Sequence, residues 1–168
     1  YIAARTCYSN KSPIELESEV EYKDLEKKFS LIKEIIASGH QSIAEHVQFT
    51  FAIEGISRAC SHQLVRHRHC TFSQMSQRYT EIKEDQKELE ELFNGNEEDY
   101  KILYEILNKY FVGGDKLENV NAFYYALDNY LEAIKKGKKP EDARMYLPNA
   151  TKTNLVMSVN LRELIHIC

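Results

Sequence analysis

Val47, Phe49, Phe51 and Ile53 alternate with Gln48, Thr50, Ala52 and Glu54. A period of two places every second side chain on one face, so this stretch predicts a β-strand. A lone strand is not stable in water. The chain must therefore supply a second one, and LVMSVN, residues 155–160, has the composition for it. The segments between and around these strands carry a different period. Leu25, Phe29, Ile32 and Ile36 recur at helical spacing and predict one apolar helix face.

Stop and start signals divide the rest. Ser12-Pro13 pairs a cap residue with a proline suited to the first turn, which opens a helical region over residues 14–38. Gly39 ends it, and Ser42 is placed to cap a short turn, SIAEH. Gly55 is expected to break the strand. ISRACSHQLVRH then reads as a helix ending in a polar stretch. Residues 81–98 are strongly acidic and predict a solvated helical face or loop. Helices follow over residues 98–111 and 117–136, separated by Gly113-Gly114 and closed by Gly137. Tyr100, Tyr104, Tyr124, Tyr125 and Tyr130 sit at helical spacings, mostly as core or interface residues. Pro140 opens a short helix, EDARMYL. LPNATKT is a loop, and the second strand leads into a last helix. No repeat or linker divides the chain.

The chain has 168 residues, 43% hydrophobic and 29% charged, with a formal net charge of −4. These values predict one globular domain over residues 1–168. The negative charge argues against a general nucleic-acid or membrane binder. Cys7, Cys60, Cys70 and Cys168 form no C-x-x-C pair and read as reduced thiols of a cytoplasmic protein. No apolar run approaches membrane-span length, and no signal peptide is recognisable. The chain opens on Tyr1 and closes inside the apolar run NLRELIHIC, so short segments are expected to lie beyond both ends.

Against this acidic background, RHRHCTFSQMSQRY stands out. Residues 66–79 hold Arg66, Arg68 and Arg78, two histidines and two glutamines, and no carboxylate. Past a helix end, an extended Arg66-His67-Arg68 would turn both arginines one way and His67 the other. Arginine offers a planar fork of donors suited to phosphate, and Ser73 to Gln77 adds hydroxyls, amides and backbone N–H groups. The bland alternative is a row of solvated charges at a helix end. So much aligned positive charge is costly without an anion, which favours a pocket for a phosphorylated, heterocyclic ligand. A metal site on His62, His67, His69, Cys60 and Cys70 lacks a recognised spacing and faces repulsion from the arginines, so no metal is expected. A nucleic-acid site conflicts with the total charge.

The stretch resembles the signature of the flavin-dependent thymidylate synthases: Arg66-His67-Arg68, then seven residues, then Ser76. GHQSIAEHVQFTF, SHQLVRHR, ARMYLPN and VNLRE resemble further blocks of that family, in the same order. The resemblance covers nearly the whole chain. It implies an α+β fold, a mixed sheet flanked by helices, and an enzyme that methylates dUMP to dTMP. Methylenetetrahydrofolate would give the carbon, NADPH the reducing equivalents, and FAD would carry the hydride. It also implies a homotetramer with shared active sites and no nucleic-acid or membrane partner.

Residue by residue, the resemblance implies that Ser42, Arg66, His67, Arg68, Gln74, Asn160, Leu161, Arg162 and His166 bind the flavin. His166 stands where the family often has asparagine. Gln63, Leu64, Val65, Arg66, Gln74, Met75, Ser76, Gln77 and Arg78 would hold dUMP, together with Arg144 contributed from another subunit. Arg78 would help hold the uracil ring, while the arginine most directly credited with activating it is expected beyond Cys168. The family needs no cysteine nucleophile, so Cys70 has no catalytic role here, and Ser76 lacks a general base nearby in sequence and is read as a binding residue. A non-catalytic nucleotide- or flavin-binding module is the alternative.

Overall fold

The computed structural model describes residues 1–19, 24–82, 89 and 97–168. Most of the acidic stretch read over 81–98 lies outside them. The elements are α1 (Ile2–Thr6), α2 (Pro13–Ser18), α3 (Leu25–Ala37), β1 (Gln48–Ser57), α4 (Arg58–Leu64), β2 (Cys70–Gln74), α5 (Glu97–Tyr110), α6 (Val120–Lys135), α7 (Pro140–Ala143), β3 (Lys152–Asn160) and α8 (Leu161–Ile167). Three 3₁₀ turns, Gln41–His46, Leu117–Asn119 and Arg144–Tyr146, also lie among the described residues. Helices plus a small sheet make the fold α+β, as expected.

The sheet has the order β1-β3-β2. Thr50 pairs its hydroxyl with Ser158 at 2.9 Å, and the Gly55 N–H donates to Asn154 Oδ1 at 2.9 Å. As β1 advances β3 therefore recedes, so the two are antiparallel. Asn154 also accepts from the Met75 N–H through its backbone oxygen at 2.9 Å. One residue of the central strand thus ties both neighbours. β1 shows the alternation in sequence, but β3 shows it in burial: Thr153, Leu155, Met157 and Val159 are buried, while Phe49 and Phe51 are each 37% exposed. The central strand has a neighbour on each side, whereas β1 is an edge.

The chain divides into two compact units. The first comprises 1–50, 67–71 and 158–168; the second comprises 51–66 and 72–157.

In the first unit, Ser12 caps α2 as predicted. Its hydroxyl accepts from the Glu15 N–H at 3.2 Å, and Glu15 accepts from the Ser12 N–H at 2.7 Å, a reciprocal capping box. The helical region read over 14–38 falls into α2 and α3, with residues 20–23 outside those described. Gly39 stops α3 at φ +95°, where its N–H reaches Ile36 O and that of His40 reaches Ile35 O. Half of the predicted face of α3 is covered: Ile32 and Ile36 pack on the core and Leu25 and Phe29 do not. Leu25 and Phe29 are 50% and 66% exposed, while Ile35 joins Ala4 and Ile43 in a small core. The α3 residues that meet this core are Leu31, Ile32, Ile35 and Ile36, one turn further along. Ser42 lies inside its 3₁₀ turn and makes no cap; His40 stands at the cap position.

The second unit holds a larger core. Ile106, Leu107, Phe111, Val120, Phe123, Leu127, Tyr130 and Leu131 form its centre, and Phe111 stacks on Phe123 with ring centroids 4.7 Å apart. Among the five tyrosines, Tyr130 is buried, whereas Tyr100 and Tyr125 are more than half exposed. Gly55 does not end β1. It takes φ +70° and the strand continues to Ser57, because a glycine can bend the backbone while its N–H stays paired. After α5, Phe111 bridges to Thr151 and Gly113-Gly114 turns the chain. A Cβ at Gly114 would stand 2.3 Å from the carbonyl carbon of Leu107, so the turn closes directly on the helix backbone.

Candidate functional site

Arg66-His67-Arg68 is not the extended segment expected past the helix end. Arg66, Arg68 and His69 lie in turns after α4: the Arg66 N–H donates to Gln63 O at 3.1 Å and the Cys70 N–H to His67 O at 3.1 Å. Cys70 to Gln74 then forms β2, a strand that was not expected, because five residues of CTFSQ carry a strand signal too short to separate from a polar loop. The chain reaches Met75 already paired with β3. Ser76 then opens a tight turn, with its backbone oxygen accepting from the Tyr79 and Thr80 N–H groups at 3.2 and 3.1 Å.

In the first unit stand Ser42, His67, Arg68, Asn160, Leu161, Arg162 and His166. The start of α8 organises most of them. Asn160 caps this helix, its Oδ1 accepting from the Glu163 N–H at 2.8 Å, so its amide nitrogen remains as a donor. The Glu163 carboxylate meets His67 Nδ1 at 3.0 Å, and the His67 ring stands edge-on to His166 with centroids 6.0 Å apart. Arg162 pairs with Glu45. The Leu161 N–H donates to Val47 O at 2.8 Å. Ser42 and Arg68 are exposed and have no side-chain hydrogen bond among the described residues. Burial, then the charge of Glu163, pushes the Cys70 thiol up, which favours its protonated form.

In the second unit stand Gln63, Leu64, Val65, Arg66, Gln74, Met75, Ser76, Gln77, Arg78 and Arg144. Gln74 is already engaged: its Nε2 donates to Ser61 Oγ at 2.8 Å and Thr153 Oγ1 at 3.2 Å, both buried hydroxyls. Its carbonyl oxygen is what remains for a ligand. Arg78 donates through Nε and Nη2 to Glu141 Oε2, at 3.1 and 3.0 Å. Arg144 donates through Nε to the backbone oxygen of the same Glu141 at 3.1 Å. Ser76 Oγ accepts from the Arg78 N–H at 3.2 Å. Gln63, Val65 and Arg66 are exposed at the end of α4.

Three residues matter here that sequence reasoning did not single out. Arg58, at the start of α4, donates from Nη1 to Met75 O at 3.4 Å. Burial, then the nearby Arg144, pushes its guanidinium below its usual range. Arg58 thus joins Arg78 and Arg144 in one basic cluster, which Glu141 partly offsets. Arg58 opens the helix that precedes the signature, but nothing in the local spacing marks it as part-buried. Glu141 and Glu163 lie far in sequence from their partners, so only the folded chain pairs them.

A separate cavity of about 520 Å³ in the second unit is lined in part by Met75, Gln77, Thr80, Tyr110, Tyr130 and Lys152. Neither Arg78 nor Arg144 lines it, so it is not the space before the basic cluster.

A family model described as thymidylate synthase complementing protein matches residues 1–168. Curated relatives include flavin-dependent thymidylate synthases of Geobacter sulfurreducens, 36% identical over 98% of this chain and 64% of the relative, and of Pyrococcus furiosus, 39% identical over 98% and 61%. A third, from Clostridium tetani, is 33% identical over 98% and 65%. The chain thus spans a little under two thirds of the length of these relatives. Two crystal structures of thymidylate synthase X from Helicobacter pylori with FAD and dUMP are similar, with TM-scores of 0.72 and 0.73. They are 27% and 26% identical and are matched over 98% of this chain and 73% and 75% of theirs. On a match over its whole length, the chain belongs to the thymidylate synthase complementing protein family, that of the flavin-dependent thymidylate synthases.

Proposed function

We propose that the protein carrying this chain is a flavin-dependent thymidylate synthase, which converts dUMP to dTMP. The observation that carries this reading is that Arg78 and Arg144 both meet Glu141, with Arg58 beside Arg144, next to the Ser76 turn. Three arginines against one carboxylate, which pairs with Arg78, leave a local positive excess that suits a phosphate dianion. Arg78 has its Nη1 turned to no partner among the described residues, and the Ser76 turn adds hydroxyl and backbone donors. Arg78, with Gln63, Leu64, Val65, Arg66, Met75, Ser76 and Gln77, would hold the nucleotide. Arg144 would serve a site shared between subunits of a homotetramer.

The flavin residues proposed are Ser42, Arg66, His67, Arg68, Gln74, Asn160, Leu161, Arg162 and His166. Their chemistry fits FAD: Arg68 and Arg162 supply donors and positive charge, and the histidines ring nitrogens, for a pyrophosphate and for a ring system that gains negative charge on reduction. When bound, FAD supplies hydride transfer, with NADPH as reductant and methylenetetrahydrofolate as carbon donor. The chain's own residues bind and orient. Gln74, pinned by Ser61 and Thr153, presents a fixed carbonyl oxygen; Arg78 favours the electron-rich form of the uracil ring, and a further arginine beyond Cys168 would complete that activation. Residues 1–168 would act as one synthase domain in a cytoplasmic enzyme. No helix among the described residues is long and apolar enough to cross a membrane.

The test is the visible spectrum of the full-length protein reconstituted with FAD, before and after dUMP. A bound-flavin band that shifts with dUMP, together with dTMP formation when folate and NADPH are added, is the expected result. A protein that retains FAD and ignores dUMP would overturn the reading.

A further inference from the structure

We propose that Glu163 is a positioning residue that fixes which ring nitrogen of His67 carries the proton, and so sets how His67 meets the flavin. This rests on the proposed flavin role of His67. Glu163 has no role assigned above, yet it sits among residues that do. Its carboxylate lies 3.0 Å from His67 Nδ1, and its side chain is only 13% exposed against 31% for His67. Its own N–H is held by Asn160 Oδ1, so the first turn of α8 anchors the carboxylate from behind.

An ionised carboxylate only accepts hydrogen bonds, so His67 Nδ1 must be the donor. In the neutral ring this leaves Nε2 as an acceptor; in the charged ring Nε2 is a donor. A free imidazole side chain prefers its proton on Nε2, so Glu163 reverses the default. Carboxylate–histidine pairs act this way wherever a ring must present one defined nitrogen. The groups around the pair are consistent with a built arrangement. The His166 ring packs edge-on against His67, and the charge of Glu163 also reaches the Cys70 thiol. A mostly buried carboxylate without a donor would be costly, so each partner fixes the other.

The test uses the full-length protein with ¹⁵N-labelled histidine, in which the His67 signals are identified by their loss in His67→Ala. At a pH where the ring is neutral, wild type is expected to show the proton on Nδ1. Glu163→Ala should move it to Nε2 and weaken FAD binding about tenfold, the loss of one charge-assisted hydrogen bond. Glu163→Gln keeps an acceptor oxygen in the same shape. It should retain the Nδ1 proton and most of the FAD affinity, which separates positioning from a folding defect. The proposal is overturned if Glu163→Ala leaves the proton on Nδ1, or moves it without weakening FAD while His67→Ala does weaken FAD. If His67→Ala itself leaves FAD affinity unchanged, the flavin reading of His67 fails, whatever the ring nitrogens report.

Discussion

The two units put their polar residues on very different foundations. In the second, Leu107, Phe111, Leu127 and Tyr130 are almost fully buried and interlock across α5 and α6. Arg58, Gln74, Arg78 and Arg144 belong to the same unit. In the first, the core cluster is Ala4, Ile35 and Ile43, and Ile14, Phe29 and Ile165 are each more than 60% exposed. The residues proposed for the flavin stand mostly there. A unit with little buried apolar surface opens locally at low cost, and it gains most from a ligand or a second subunit that covers it. The residues proposed for the nucleotide belong to the unit with the larger core; several of those proposed for the flavin gather at one short helix start.

Four experiments break or sharpen this contrast, the largest effect first. Leu127→Ala should cost about 3–4 kcal/mol in chemical denaturation, because a fully buried leucine leaves a cavity in a packed core. Ile35→Ala, in the smaller cluster, should cost about 2 kcal/mol or less. Equal costs would erase the difference between the two cores. Arg78→Ala should weaken dUMP binding about 10- to 100-fold, the loss of a charge-assisted contact. Its denaturation midpoint should hardly move, since the exposed Arg78–Glu141 pair is worth about 0–1 kcal/mol. Unchanged dUMP affinity would remove Arg78 from the site.

Gln74→Leu tests whether a site residue of the second unit also stabilises it. It leaves the buried hydroxyls of Ser61 and Thr153 without their amide donor, at about 1–3 kcal/mol. A stability equal to wild type would make Gln74 a ligand contact and nothing more. The smallest effect belongs to the capping box of the first unit. Glu15 is held below the usual carboxylate range by the Ser12 N–H, then by the Ser12 side chain. Its stabilising contribution is therefore present above the unfolded value and lost as pH falls through the lower folded one. The stability difference between wild type and Glu15→Gln should shrink in acid. A difference that grows on acidification would contradict the cap.

What the sequence disclosed follows the range of each interaction. Ser12-Pro13, Gly39, Gly113 and Gly137 act within a few residues, and each marks its boundary in the structure. β1 was visible because its alternation runs for seven residues, whereas CTFSQ was too brief to declare β2. Gly55 misled because the same residue that breaks one strand bends another; only Asn154, on β3, reveals which. On α3 the predicted face is covered at Ile32 and Ile36 but not at Leu25 and Phe29, since periodicity marks apolar spacing and not which end is covered. In the candidate site, the arginines of the signature were legible as a group. Glu141, which pairs with Arg78, and Glu163, which pairs with His67, were not, because pairing across 63 or 96 residues is a property of the fold.

Gly114 sits against the Leu107 carbonyl with no space for a methyl group. In a saturation library of this chain, the position should therefore tolerate a single letter because of contact, whereas its neighbour Gly113 is restricted by its backbone, at φ +76°, with only the end of the Asn119 side chain near it at 3.1 Å. A filter for stable folding alone, with no selection for dTMP, would leave glycine fixed at 114 while the exposed arginines of the signature drift. That contrast separates the letters kept for shape from those kept for chemistry.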